Sequence, residues 1–542
     1  MLVAVGTGME LEWNGNEKRN GGGKGKQRMV AVIGAGAAGC MAALAAAEAG
    51  AQVLLFDRNE KIGKKIYATG NGRCNLTNSR MEPDCYYQSR IVREMAGGLA
   101  DRRGAEKDGR SRAVSTDSAA GEIRRGGSPE RDSASDWGGA QALRRMEGFS
   151  NRELLAFLEK RGIYCHERDG YWYPRTDQAA TIAAFFEREL RAAGVRLFLN
   201  TEVRNIRSEA SGRELRTDAG KLTGKEATAG GQAIAGQETG NFHIEGKDGG
   251  AYHADAVVLA CGGMVSREFG CLGDGYRFAE SFGHRIIPPA PALTALRCAD
   301  PLLKRAAGVR CEAAATLCIG EVPVRTERGE VQMAEYGLSG IPVFQLSRLA
   351  AQMLWQEETG QKMPVPEQRT ARTGQIVRAG CETARSEAEC LTVRLDFLPE
   401  LTEVQWEAEK GRRLARRERN ETLDTIFLGL VNRKLLDYLL AGRGLCAENK
   451  SGKLSREKLE AVLDDMRAKS VPVTGVNPFD KAQTTAGGVS LTETDDGFQS
   501  RRQPGLYLVG ELLDVDGICG GYNLQWAFAG GYLAGTAAGR VL

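Results

Sequence analysis

This 542-residue chain has 13 cysteines but no pair in CxxC spacing. An odd, scattered set argues against a disulfide framework or a zinc site and fits reduced cytosolic thiols, so a cytoplasmic location is expected. Histidine is scarce too: only His166, His243, His253 and His284, none spaced as metal ligands, so no metal is expected. No run of 18 apolar residues exists to span a membrane. The opening residues, MLVAVGTGMELEWNG, lack the basic start and apolar core of a signal peptide. A formal charge of +3 is too small to argue for nucleic acid or an acidic membrane surface. What remains is ordinary globular composition, 42% hydrophobic and 26% charged, with room for roughly two to four domains.

Several stretches cannot bury a core. Residues 1–28, Gly- and Lys-rich towards their end, read as a disordered tail or a mis-assigned start before Met29. Residues 96–140 read as a disordered insertion, 207–240 as a polar, Gly-rich hairpin loop, and 357–388 as a further insertion. The rest is α/β, a doubly wound Rossmann-like domain with additions. A nucleotide-binding part over 29–290 precedes a β-rich, barrel-like domain over 291–400 and a helical insert over 401–470. Residues 471–542 lead back to the first domain. Helices are predicted at 37–49, at 178–193, after the capping box Ser150-Asn-Arg-Glu153, and over Thr422–Leu440. Strands are predicted at Val195–Leu199, Ala251–Ala260, Ala313–Ile319, Leu391–Phe397 and 471–490.

The sharpest feature is Gly34-Ala35-Gly36-Ala37-Ala38-Gly39, placed between the strand Val30–Ile33 and an Ala-rich helix. Gly34 permits the turn, Gly36 lets backbone approach a pyrophosphate, and Gly39 lets the helix pack on the sheet. The pyrophosphate sits on the free N–H groups at the helix start. The next apolar run ends in Asp57, 23 residues after Gly34, followed by Arg58. A carboxylate there can bond ribose hydroxyls and would repel a 2′-phosphate, which favours FAD or NAD over NADP. At the far end of the chain Gly505-Leu-Tyr-Leu-Val-Gly510-Glu511 runs on to Gly520-Gly521-Tyr522-Asn523. The two ends read as one FAD site.

The segment from Gly63 to Asn78, which includes Lys64, Lys65, Gly72, Arg73, Cys74 and Asn75, is unusual. With Leu259-Ala-Cys-Gly262-Gly263, Glu335-Tyr336-Gly-Leu-Ser-Gly340 and Thr485-Ala-Gly-Gly-Val489, it resembles the signature blocks of the bacterial YhiN/BaiN-like NAD(P)/FAD-dependent oxidoreductases. The resemblance covers about 29–95, 146–206 and 241–542. It implies an FAD-binding domain, a β-barrel domain and a helical insert. It also implies that Glu511 bonds the ribityl chain and that the helix begun by Gly521, Tyr522 and Asn523 faces the flavin's N1 and O2. Such a helix end favours anionic reduced flavin. Lys64, Lys65 and Arg73 are placed near the flavin and pyrophosphate, with a solvated basic loop as the alternative. The family's Ala-Thr-Gly-Gly reads Ala260-Cys261-Gly262-Gly263 here, a thiol in place of a hydroxyl.

A member of this family reduces 3-oxo-Δ4 and Δ4,6 bile-acid intermediates, so the resemblance implies an apolar enone as substrate. Hydride addition to an enone needs a donor for the enolate oxygen and an acid for the α-carbon. Tyr67, Tyr336 and Tyr522 are the candidates, with packed tyrosines as the alternative. No second GxGxxG follows a strand, so NAD(P)H is expected to visit the flavin transiently. Cys74 reads as a small buried residue rather than a redox thiol, and His284 as a packed helix end. The basic run Lys410–Arg419 reads as a solvated face, and nucleic acid is not the expected partner. Other readings remain: a fumarate-reductase-like or nucleic-acid-modifying flavoenzyme, or a flavin-binding redox sensor.

Overall fold

The structure, a computed structural model, describes residues 27–92, 138–209, 241–355 and 391–540. Its centre is a parallel sheet ordered Leu506–Leu508, Ala256–Leu259, Met29–Ile33, Gln52–Phe56, Arg196–Phe198. The three central strands are aliphatic runs buried along nearly their whole length, as a sheet covered on both faces requires. The chain departs after Leu259 and returns as the neighbouring strand, with Val257 opposite Leu506 and Leu259 opposite Leu508.

Two helices cover the same side of this sheet. Ala37–Glu48 follows the first strand, and Tyr522–Gly539 lies against it. The seam is made of small residues four apart. A Cβ on Gly531, Gly535 or Gly539 would come within 2.3, 2.2 and 2.6 Å of the carbonyl oxygens of Ala38, Ala42 and Ala46. The alanine richness of the first helix and the glycines of the second therefore let the backbones touch.

A second hydrophobic core lies in the middle of the chain. Six antiparallel strands close a barrel: Leu296–Cys298, Gly337–Ser339, Val322–Ala334, Arg310–Ile319, Leu391–Asp396 and Lys469–Val476. The helix Ile341–Trp355 packs against both the barrel and the strand Ile286–Ala292. Helices Glu403–Ala415, Leu423–Ile426, Arg433–Gly442 and Arg456–Ala468 precede the closing strand.

Tertiary context moved several sequence-predicted bounds. Ala251–Ala260 is two strands, because Asp255 turns its carboxylate to the Met29 N–H (2.8 Å). Ala251–Ala254 joins an antiparallel sheet and Ala256–Leu259 the parallel one. Thr422–Leu440 is not one helix: Gly429 at φ +86° interrupts it, and Asn432 caps a new start at Lys434 N–H (2.9 Å). Residues 471–490 divide between the barrel strand Lys469–Val476 and Thr484–Val489, which pairs with Ile286–Ala292. The 96–140 insertion ends earlier than predicted, since Gly139–Met146 is helical with Ala142 and Met146 buried. The 207–240 loop starts later, since Val203–Ser208 is a strand. The remainder of both, and of 1–28 and 357–388, falls outside the described residues apart from Gln27, Arg28, Gly138 and Glu209.

His284 is buried just beyond the helix Asp274–Ser281, its Nδ1 2.7 Å from Glu493 and its Nε2 2.8 Å from the Ser500 hydroxyl. The arrangement resembles a hydrolytic triad but is a clasp. Ser500 Oγ already accepts the Arg502 and Gln503 N–H groups (3.0 and 2.9 Å), so its proton points to His284. Glu493 is also held by Arg502 at 2.9 Å. Burial pulls His284 below its usual range, against the opposing pull of Glu493. His284→Leu is expected to cost about 2 kcal/mol in urea unfolding, from the polar groups left unpaired. Flavin content at low denaturant is expected to stay at the parent's level.

Candidate dinucleotide site

A cleft runs along the carboxyl ends of the parallel strands, where open α/β sheets bind ligands. Its free space is about 1310 Å³, counted out to the solvent at its mouth. Gly34, at φ +103°, anchors the first turn through its N–H to Phe56 O (2.8 Å). The helix beginning at Ala37 has no side-chain cap and no acidic residue in its first turn, so its first N–H groups are left for a ligand. A Cβ on Gly36 would meet nothing within 4 Å, whereas one on Gly39 would lie 1.7 Å from Gly34 O. The first glycine keeps space open at the cleft; the second seats the helix.

Asp57 lines the cleft and braces it. One carboxylate oxygen accepts Ala35 N–H (2.7 Å); the other accepts the backbone and side-chain N–H groups of Asn59 (2.8 and 2.9 Å). Arg58 pairs with Asp274 at 2.5 Å and Lys64 reaches Asn59 at 3.4 Å, both on the lining. Lys65 bridges to Glu511 (2.6 Å), whose other oxygen accepts Thr485 N–H (2.8 Å). Burial works to lower the Lys65 ammonium, but the Glu511 charge outweighs it and the net shift is upward. The pair joins the Gly63–Asn75 loop to the returning strand.

The other predicted residues divide. Ala35, Ala37, Ala38, Gly262, Gly510 and Asn523 line the cleft. Gly263 lies just behind it: a Cβ there would sit 2.3 Å from Thr485 Oγ1 and 2.8 Å from Glu511 Oε1. Asn523 binds Gly517 twice (2.8 and 2.9 Å), which sets the turn into the C-terminal helix. Gly72 and Arg73 are exposed and off the lining. Cys74 is buried at φ +61°, and burial pushes its thiol up to about 12, so it stays protonated. The Asn75 amide, oriented to satisfy both ends, donates to Thr77 O (3.0 Å) and accepts Gly521 N–H (3.3 Å). Cys261 lines the cleft with its thiol 3.5 Å from Ile33 O.

The three tyrosines are not brought together, and none lines the cleft. Tyr67 and Tyr336 are exposed, on different bodies of the protein. Tyr522 is buried edge-to-face against Tyr86, whose hydroxyl donates to its carbonyl (3.2 Å). Sequence reading passed over Tyr171, half-buried and packed against Gly520; a Cβ there would lie 2.6 Å from its ring. It also passed over Thr201, Glu202 and Val203 at the other end of the lining. These follow the outermost parallel strand, and that position at a strand's carboxyl end was the available signal.

The Lys410–Arg419 run is largely self-neutralised. Lys410 pairs with Asp464 (2.7 Å), Arg412 and Arg413 share Glu409, and Arg416 takes Glu421 (2.5 Å). Arg417 donates to Leu454 O (2.7 Å). Among the described residues no group of three His, Cys, Asp or Glu could hold a metal, and no helix is long and apolar enough to cross a membrane.

Sheet, glycine loop, acid and returning Gly-Glu strand together define a flavin-dependent oxidoreductase on a Rossmann-like dinucleotide fold. Residues 28–97 and 225–537 match the HI0933-like protein Rossmann domain, and the chain belongs to that family. It is 33% identical over 94% of its length to the 3-dehydro-bile acid delta(4,6)-reductase of Clostridium scindens, covering 98% of that protein. It is 22% identical over 94% to the ribosomal RNA dihydrouridine synthase of Haemophilus influenzae, again covering 98%. Among solved structures it is similar to the 3-ketosteroid-delta4-(5alpha)-dehydrogenase of Rhodococcus jostii RHA1. That likeness is 14% identical, covers 94% of this chain and 96% of the other, and has a TM-score of 0.39.

Proposed function

We propose that this chain is an FAD-dependent ene-reductase, driven by NAD(P)H, that saturates a C=C bond conjugated to a carbonyl. The substrates it suits best are 3-oxo-Δ4 and Δ4,6 bile-acid or related steroid intermediates. The observation that carries the reading is a cleft with uncapped helix N–H groups, an open Gly36 and the Asp57 brace, in a chain one-third identical end to end to a bile-acid delta(4,6)-reductase. Both relatives' names describe the same bond change, because uracil's C5=C6 is also conjugated to a carbonyl. The self-neutralised basic helix favours a small substrate over ribosomal RNA.

The residues present fit FAD. The N–H groups at the start of Ala37–Glu48 would take the pyrophosphate, Asp57 the adenosine ribose and Glu511 the ribityl hydroxyls. When bound, FAD supplies a two-electron carrier between nicotinamide and substrate. The protein's part is to orient both and to hold charge. The start of Tyr522–Gly539 carries no acidic residue in its first turn, so its positive end is free to face developing negative charge.

Anaerobic stopped-flow absorbance of the FAD-loaded protein tests this. Bleaching by NADH or NADPH, then rapid recovery with a 3-oxo-4,6-diene bile acid, is the expected result. Bleaching without recovery by any enone would remove the steroid assignment. No bleaching by either nicotinamide would remove the proposed electron donor.

A further inference from the structure

Where the cleft meets the barrel, two glutamines from different elements converge on one residue. Gln345 lies on the helix Ile341–Trp355, and its amide oxygen accepts Cys519 N–H (3.3 Å). Gln483 lines the cleft just before the strand Thr484–Val489, and its amide oxygen lies 4.0 Å from the Cys519 thiol. Cys519 precedes Gly520-Gly521 and the C-terminal helix. Both amide oxygens lie towards Cys519, which leaves the NH2 ends turned away from it. Neither amide nitrogen has a hydrogen-bond partner among the described residues, and neither is among the polar atoms sealed from solvent without one. Gln345 is otherwise buried (8% exposed), and its amide nitrogen, the end that solvent reaches, is open to a ligand. Tyr171 borders the same corner, against Gly520.

We propose that Gln345 and Gln483 form the carbonyl-binding pair of the substrate site, donating their free N–H groups to the enone oxygen. This rests on the ene-reductase reading. Hydride from the reduced cofactor adds to the β-carbon and forms the new C–H bond. The π electrons of C=C shift towards the carbonyl, and negative charge collects on its oxygen. A proton taken up at the α-carbon then gives the saturated ketone. Two neutral amide donors stabilise that charge without having to lose a proton themselves, and loss of one such donor costs roughly 10²–10³ in rate.

The test uses Gln483→Leu, an exposed position that leaves the fold unstressed, and Gln345→Leu beside it. FAD-loaded, nicotinamide-reduced protein is reoxidised by a 3-oxo-4,6-diene bile acid and, separately, by ferricyanide. The ratio of the two rates is expected to fall at least tenfold in each variant. Titration of the oxidised protein with the saturated 3-oxo bile acid, followed by flavin absorbance, is expected to show at least tenfold weaker binding. A ratio and a binding curve within twofold of the parent in Gln483→Leu would overturn the proposal while leaving the ene-reductase reading intact. A parent protein reoxidised by ferricyanide but by no enone would overturn that reading, and this inference with it.

Discussion

Gly36→Val is expected to fold as the parent does and to lose its hold on FAD. Gly36 has φ −77° and ψ −167°, extended backbone that valine adopts freely, and a Cβ there meets nothing within 4 Å. The new side chain must therefore occupy the open cleft beside the uncapped helix N–H groups, where the pyrophosphate has to approach. FAD affinity is expected to fall roughly 100-fold, about 2.8 kcal/mol at about 1.4 kcal/mol per decade. The urea midpoint of the FAD-free protein is expected to stay at the parent's value. Gly39→Val makes the contrast. Its Cβ would sit 1.7 Å from Gly34 O and 3.2 Å from Ala260 Cβ, so the helix must leave its seat and the apo midpoint itself falls. Equal FAD affinity in Gly36→Val and the parent, by fluorescence-quench titration, would remove this loop from the cofactor site.

Arg348→Met is expected to be the most damaging single change to stability outside the glycine loop. Arg348 (1% exposed) pairs with Asp516 (2% exposed) at 3.0 Å, donates to Gly517 O at 2.8 Å and lies 4.4 Å from the Tyr87 ring centroid. It ties the barrel-side helix Ile341–Trp355 to the turn ahead of the C-terminal helix. Removing one partner of a buried pair costs about 3–5 kcal/mol. The size should depend on pH. Burial pushes the Asp516 carboxyl up to about 7 despite the lowering charge of Arg348, with Asp514 and Glu511 adding to the rise. In the unfolded chain an aspartate titrates near ~3.9. The folded state thus binds this proton more tightly, and the stability it contributes is full below about pH 4 and lost as pH rises through about 7. Without Arg348 the folded value climbs further. The gap between parent and variant should then be small at pH 5, where the carboxyl is neutral in both, and widen by pH 8. Urea unfolding at the two pH values measures it. Arg348→Met with Asp516→Asn should recover most of the pH 8 loss, and a gap independent of pH would refute the account.

The nucleotide-binding half was legible because its chemistry is local. A buried strand, a glycine turn and an acid at the end of the next strand all fall between Met29 and Asp57, and the backbone geometry that binds phosphate needs those residues in that order. The second end was legible only as a motif. That Leu506–Leu508 pairs with Ala256–Leu259, across some 250 residues of other structure, was decided by the tertiary fold, which buries both short strands in the parallel sheet. Local pattern misplaced boundaries where a single side chain reached across the fold. Asp255 splits a strand by bonding Met29, and Gly429 with Asn432 splits a helix whose apolar spacing runs on. The tyrosines belong to the motif blocks, and a motif does not say which way a side chain faces.

By itself the sequence determined the cofactor class, because the glycines, the helix start and the carboxylate act through backbone within a few residues of one another. Tertiary structure alone decided the rest of the site. Lys65 meets Glu511 across 446 positions, Arg348 meets Asp516 across 168, and Gln345 and Gln483 meet at Cys519 from three separate elements. Arg348 and Gln345 are brought to their partners by packing of the barrel-side helix against the nucleotide fold, and Lys65 by the return of the chain to the first sheet. Packing is a property of the whole chain's shape, which no local spacing encodes.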